Sequence, residues 1–264
     1  QDTSAQTSVG AVVNQAGGVI EGNRFGIIFT GGGVVDNAGT ITGPVESAGA
    51  VDGAGAAVLI QAFVGDEGKT GTVTNSGGHG LSFGANLASG QVTNSGEIEG
   101  VLRYGVVNNS VGTVTVVNQA DGTITGATSG VYAEFGAVVV NIAGTIRGNG
   151  TYDGFDFPPD AGIGIAQGGS SVVNTGTISG AGAGITTAYF FNSDTQALEG
   201  RAIGVTVENS GSIIGDSNDG VRLIGGGTVT NSGLIAGRVG EFADGVSMFA
   251  FDGQDTSGQA SIGT

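Results

Sequence analysis

Cysteine and tryptophan are absent from this 264-residue chain, which holds a single lysine, a single histidine and three prolines. Without cysteine there is no disulfide framework and no thiolate metal site. One histidine, His79, excludes a multi-histidine metal centre. Seven residues are Lys or Arg and 23 are Asp or Glu, a formal net charge of -16. A basic footprint for nucleic acid is therefore missing, and anionic membranes repel the chain. No apolar run approaches the roughly 20 residues of a spanning helix, so no direct transmembrane segment is expected. Three prolines and no Gly-X-Y period exclude collagen despite 56 glycines. Charged residues are too few, and Val and Ile too many, for a disordered chain of this length.

What is present is one repeat. An aliphatic residue, one or two residues, Asn, a small residue or two, Gly, any residue, Ile or Val, any residue and Gly recur nine times. Copies include VVDNAGTITG, QVTNSGEIEG and TVTNSGLIAG. The motif asparagines are Asn14, Asn37, Asn75, Asn94, Asn118, Asn141, Asn174, Asn209 and Asn231. Five of their eight spacings lie between 19 and 24 residues. A second motif, Gly followed by an aliphatic residue, sits in each unit, as at Gly130-Val131 and Gly220-Val221. Each unit thus offers three short strands with period-2 alternation. That is one coil of a parallel β-helix. The expected fold is all-β, a right-handed parallel β-helix (solenoid) of about nine to twelve coils in a single domain, 1–264.

Within a coil, Val35, Asn37 and Ile41 share parity and point inward, so stacking places Val on Val and Ile on Ile. The asparagines form a structural ladder: each lies at a corner, tolerates the left-handed backbone region, and bonds along the stack through its amide. The glycines supply positive φ at tight corners. The unit around His79 spans only 19 residues and has lost its Ile strand, which makes His79 a turn residue.

Runs such as Val73 to Gly80 and Val229 to Gly237 resemble the coils of bacterial autotransporter passengers and related secreted adhesins. The resemblance covers almost the whole chain and carries the β-helix, not an activity. It implies an extracellular, cell-surface location, and it accounts for the missing cysteine, since such passengers cross the outer membrane unfolded. The implied partners are a host or environmental surface glycan or protein.

Departures from the repeat are the expected seat of function. Three insertions stand out, at approximately 44–71, 149–162 and 186–201. The second holds Tyr152, Phe155 and Phe157 beside several acids, the third Tyr189, Phe190 and Phe191. Exposed rings beside acids suit glycan or protein binding; rings folded back over the coil are the other reading. Asp219 and Asp244 precede equivalent glycines on successive coils, about 5 Å apart. With Asp216 they suit a cation site, calcium being the candidate cofactor, or a pair of solvated turn residues, or the carboxylate pair of a polysaccharide hydrolase or lyase. No catalytic residue is assigned, and the leading expectation is a rod without enzymatic activity. The Gly31-Gly32-Gly33 run is not followed by a Lys and a Ser or Thr as a phosphate loop requires.

The two ends match. Residues 1–11 read QDTSAQTSVGA and residues 254–264 read QDTSGQASIGT, with seven of eleven identical. Two readings are open. The chain is one unit of a longer tandem passenger, or it is a filament subunit joined to copies of itself end-to-end through these segments.

Overall fold

The computed structural model describes residues 10–22, 25–29, 31–43, 58–60, 70–77, 81–83, 89–100, 104–108, 112–134, 136–150, 160–166, 169–187, 189–192, 197–200, 204–240 and 243–249. Among these residues there is no helix, and three long parallel sheets run side by side. The first sheet takes nine strands: Gly10–Asn14, Gly33–Asn37, Thr70–Asn75, Ser89–Asn94, Thr113–Asn118, Ala137–Asn141, Ser171–Asn174, Val205–Asn209 and Gly227–Asn231. Every one ends on a motif asparagine. These strands open coils 1 to 9. The third sheet also has nine strands, one per coil, from Ile27–Phe29 to Val246–Phe249.

The second sheet carries the isoleucines. Coils 1 and 2 pair Val19–Glu21 with Thr40–Thr42, and coils 4 to 9 form a continuous run from Glu97–Gly100 to Leu234–Gly237. In coil 3 the counterparts of Thr40–Thr42, residues 78–80, lie outside the described residues, and so does the expectation of a lost strand there. Its backbone still meets coil 4, because the Glu97 N–H donates to the Gly77 carbonyl at 2.9 Å. The chain passes first sheet, second sheet, third sheet, then the first sheet of the next coil. This is a parallel β-helix of nine coils, roughly 40 Å long at the interstrand spacing of about 4.8 Å.

The register explains why the sequence coils. Val12, Val35, Val73, Val92, Val116, Val139, Val172, Val207 and Val229 form one inward column. Ile98, Ile124, Ile146, Ile178, Ile213 and Ile235 form another. Ile98, Ile124, Ile146, Ile178 and Ile213 are completely buried. β-Branched side chains fit this pleated, like-on-like stack, and each contributes about 1.5–3 kcal/mol by burial.

The asparagine ladder is unbroken. Nδ2 of each asparagine donates to Oδ1 of the asparagine in the next coil, from Asn14 to Asn37 at 2.8 Å through to Asn209 to Asn231 at 2.7 Å. Oδ1 also accepts the N–H of the corner glycine in several coils, as from Gly39 at 3.2 Å and Gly176 at 3.2 Å. One expectation fails here. None of these asparagines adopts positive φ; among the described residues the non-glycine positions that do are Asp121 (67°) and Ala143 (54°). The side-chain amide turns the corner by hydrogen bonding, so the backbone need not enter the left-handed region.

Gly17, Gly32 and Gly226 supply positive φ at corners as expected (80°, 83° and 86°), while the stacked glycines of the ladder corner serve differently. Gly77, Gly176 and Gly211 have no positive φ. A Cβ on any of them would collide with the glycine carbonyl oxygen of the preceding coil. Glycine stacks on glycine because the backbones approach too closely for a side chain.

Candidate functional site

The three corners of the coil differ in length. Between first and second sheets the chain spends two to four residues, such as Ala38-Gly39 or Gln119 to Gly122. The ladder and the glycine stack lie here, and an insertion would break both. Between second and third sheets lie residues 43–57 of coil 2 and 149–162 of coil 6. The first two insertions therefore leave the coil at one corner, though the first also contains a third-sheet strand, Val58–Ile60. The third insertion leaves at the corner between third and first sheets. Both long corners flank the third sheet, so one side of the rod carries the departures from the repeat.

Burial marks the same side. On the first sheet, outward residues are open: Val13 is 69% exposed and Val34 41%. On the third sheet, outward Val107 and Thr186 are 5% and 1% exposed, and Ile224 is 3%. Single-sided sheets alternate buried with exposed; the third sheet is covered on both faces over these coils.

Of the expected binding residues, Tyr152, Phe155 and Phe157 lie outside the described residues, as does His79. Tyr189, Phe190 and Phe191 occupy an antiparallel ribbon, Tyr189–Asn192 against Ala197–Gly200, with Tyr189 opposite Gly200, Phe190 opposite Glu199 and Phe191 opposite Leu198. This ribbon starts one residue past the third-sheet strand Ile185–Thr187 and joins none of the three sheets. The third expected insertion is thus a hairpin with its own strand register.

The aspartates sit at the corner between second and third sheets in coils 8 and 9. Asp219 is 2% exposed, and its Oδ1 accepts the Asp244 N–H at 2.9 Å, tying coil 8 to coil 9. Its Oδ2 lies 4.0 Å from Arg222 Nε. Asp244 Oδ2 accepts from the Ser247 hydroxyl at 3.2 Å, and exposed Asp216 pairs with Arg238 Nη1 at 3.2 Å. The carboxylates reach backbone, hydroxyl and guanidinium groups. Among the described residues no three His, Cys, Asp or Glu side chains converge as a metal site would need.

A pair that sequence reasoning missed lies on the third-sheet side. Tyr104 and Tyr132 stack with ring centroids 4.7 Å apart and planes 23° apart. They belong to coils 4 and 5, and the register sets Tyr132 opposite Val107 and beside Gly164 of coil 6. The sequence signal was faint, because the two tyrosines are 28 positions apart and the third-sheet register alone brings them together. Asn108 was missed as well. It is buried in coil 4, and its Nδ2 donates to the Gly112 carbonyl at 2.9 Å and the Gly136 carbonyl at 3.1 Å, bracing the long corner.

No helix among the described residues is long and apolar enough to cross a membrane. Comparison with known protein families, curated proteins and solved structures finds no match to this chain.

Proposed function

We propose that this chain is a structural and adhesive rod of the bacterial cell exterior, of the kind formed by autotransporter passengers, and that it binds a surface glycan or protein through its third-sheet side. The observation that carries this reading is the segregation of the insertions. The ladder corner is two to four residues long in the eight coils where it is described, while both corners flanking the third sheet carry the long, aromatic departures. A rigid repeat presenting variable segments along one side is suited to holding binding groups at fixed spacing. The half-buried Tyr104–Tyr132 pair supplies aromatic surface there. The low positive charge favours neutral or cationic partners over phosphate-rich ones.

The test is binding of the purified chain to a glycan array and to immobilised extracellular-matrix proteins. It is compared with a variant in which a Gly-Ser-Gly turn joins Thr187 to Gly204, and with one in which a similar turn replaces residues 151–159. Binding by the parent chain, lost in at least one variant of unchanged melting temperature, supports the reading. No binding by the parent, or binding that neither replacement weakens, overturns it.

A further inference from the structure

We propose that Tyr104 and Tyr132 form a site of oxidative coupling, at which a peroxide acting through a haem peroxidase joins coils 4 and 5 by a carbon–carbon bond between the two rings. This goes beyond the binding reading, which uses only the surface of the pair. One-electron oxidants act on the side chains that give up an electron most easily. The chain has no cysteine and no tryptophan, and its one methionine is consumed by oxygen transfer to the sulfoxide. The four tyrosines are therefore its electron donors. Of these, Tyr152 lies outside the described residues, and Tyr189 sits opposite Gly200 in its ribbon. Tyr104 and Tyr132 stack, with ring centroids 4.7 Å apart and planes 23° apart.

The fold holds the two rings together. They are carried by the third-sheet strands Tyr104–Asn108 and Ser129–Ala133, which are paired in parallel register. Val106 and Val131 anchor those strands in the core at 0% and 1% exposure. Gly105 and Gly130 lie so close to the backbones of Thr125 and Arg147 that neither has room for a Cβ. Both rings are half-buried, so a small oxidant reaches them while their neighbours limit their swing. A pair fixed in this way reacts at a high effective concentration. Reduction of hydrogen peroxide to two waters takes one electron and one proton from each phenol. Each tyrosyl radical carries spin on its Cε atoms, beside the oxygen-bearing carbon. Face-to-face stacking lets the half-filled ring orbitals overlap, and a Cε of one ring bonds to a Cε of the other. The hydrogen on each of those carbons then moves to the phenol oxygen, which restores both rings. The new bond closes a loop between residues 28 positions apart, as a disulfide would in a chain that had cysteine.

The experiment treats the full chain, kept dilute, with hydrogen peroxide and a haem peroxidase, and separately with a small ruthenium photo-oxidant and persulfate, which reach rings that the enzyme cannot. The product of single-chain mass should lack two hydrogens and show dityrosine fluorescence. Arg103 and Arg147 bracket the pair, so trypsin should release residues 104–147 with both tyrosines inside. Cleavage after Asp121, which lies between them, should leave the two pieces joined. Tyr132→Phe and Tyr104→Phe each keep a ring but lose the phenol, and each should abolish the bond while keeping the parent's strand spectrum. Tyr152→Phe combined with Tyr189→Phe should leave it intact. In denaturant the yield should fall about tenfold or more, because the fold supplies the proximity. A yield as high in denaturant as in the folded chain, coupling only between separate chains, a bond mapped to Tyr152 or Tyr189, or no coupling with either oxidant would each overturn the proposal.

Discussion

At the scale of the residue, asparagine suits the ladder because one short side chain both donates and accepts. Alanine at Asn118 would remove the acceptor of Asn94 Nδ2, leaving it only the Gly96 and Thr123 carbonyls, and the ladder donor to Asn141 Oδ1, both in buried groups. The expected loss is about 3 kcal/mol, read from chemical denaturation. Asn118→Asp is more diagnostic. Its carboxylate would face Asn141 Oδ1 and the carbonyls of Gly122 and Thr145, none of which can donate. The folded state then raises the acid's pKa above the unfolded value of about 3.9. The variant should be most stable below about pH 4 and lose stability as pH rises through the raised folded pKa, because the protonated form alone donates. A denaturation midpoint that tracks the parent's at every pH would contradict this. Ala143 illustrates a smaller strain. At φ 54° it sits where a Cβ costs about 1 kcal/mol, so Ala143→Gly should raise the melting temperature slightly despite the greater freedom of the unfolded chain. The ladder was legible in the sequence, since asparagine recurs at fixed parity before glycine. The backbone of the corner was not, because asparagine permits both the left-handed turn and the hydrogen-bonded one.

At the scale of the element, each coil is held by columns and by close backbone approach. Ile146 lies between Ile124 and Ile178 and is completely buried. Ile146→Ala should cost 2–5 kcal/mol and Ile146→Val about 1, because the hydrogen-bonded stack holds the coils at fixed spacing and keeps the cavity from collapsing. Gly176→Ala should cost at least as much as the isoleucine truncation, since its new Cβ meets the Gly144 carbonyl and a stacked backbone cannot step aside. The pair of variants separates packing from clearance: thermal melts that rank Gly176→Ala as mild would show that the glycine stack can open. The strands and their inward residues followed from alternation. The strand Val58–Ile60 did not, because its segment lacks the Gly-aliphatic signal in register and only pairing with Ile27–Phe29 reveals it.

At the scale of the molecule, each coil touches only its neighbours, so stability is a chain of nearest-neighbour terms. Amide hydrogen exchange should be slowest in coils 5 to 7 and fastest in coils 1 and 9, where inward Val12, Ile20, Phe29, Val229, Ile235 and Met248 are only partly buried. Uniform protection from end to end in the single chain would show instead that the ends are held as firmly as the middle. The covered third sheet has a consequence as well. Replacements on the first-sheet surface, as at Val13 or Val34, should change stability by less than about 0.5 kcal/mol. Outward changes at Thr186 or Ile224 should cost several times more, because both are buried.

By itself the amino-acid sequence determined the repeat, the parity of its inward residues, and hence a stack of Val, Ile and Asn columns. Those are local properties of period and side-chain chemistry, and a period-2 strand with turn signals has few other ways to bury its apolar face. The tertiary structure alone decided that the outward residues Val107, Thr186 and Ile224 of the third sheet are buried, that Tyr104 meets Tyr132, and that Asp219 reaches the backbone of Asp244. Each depends on what one coil places against the next. Register between coils is set by the sum of all columns at once, and no single segment carries it.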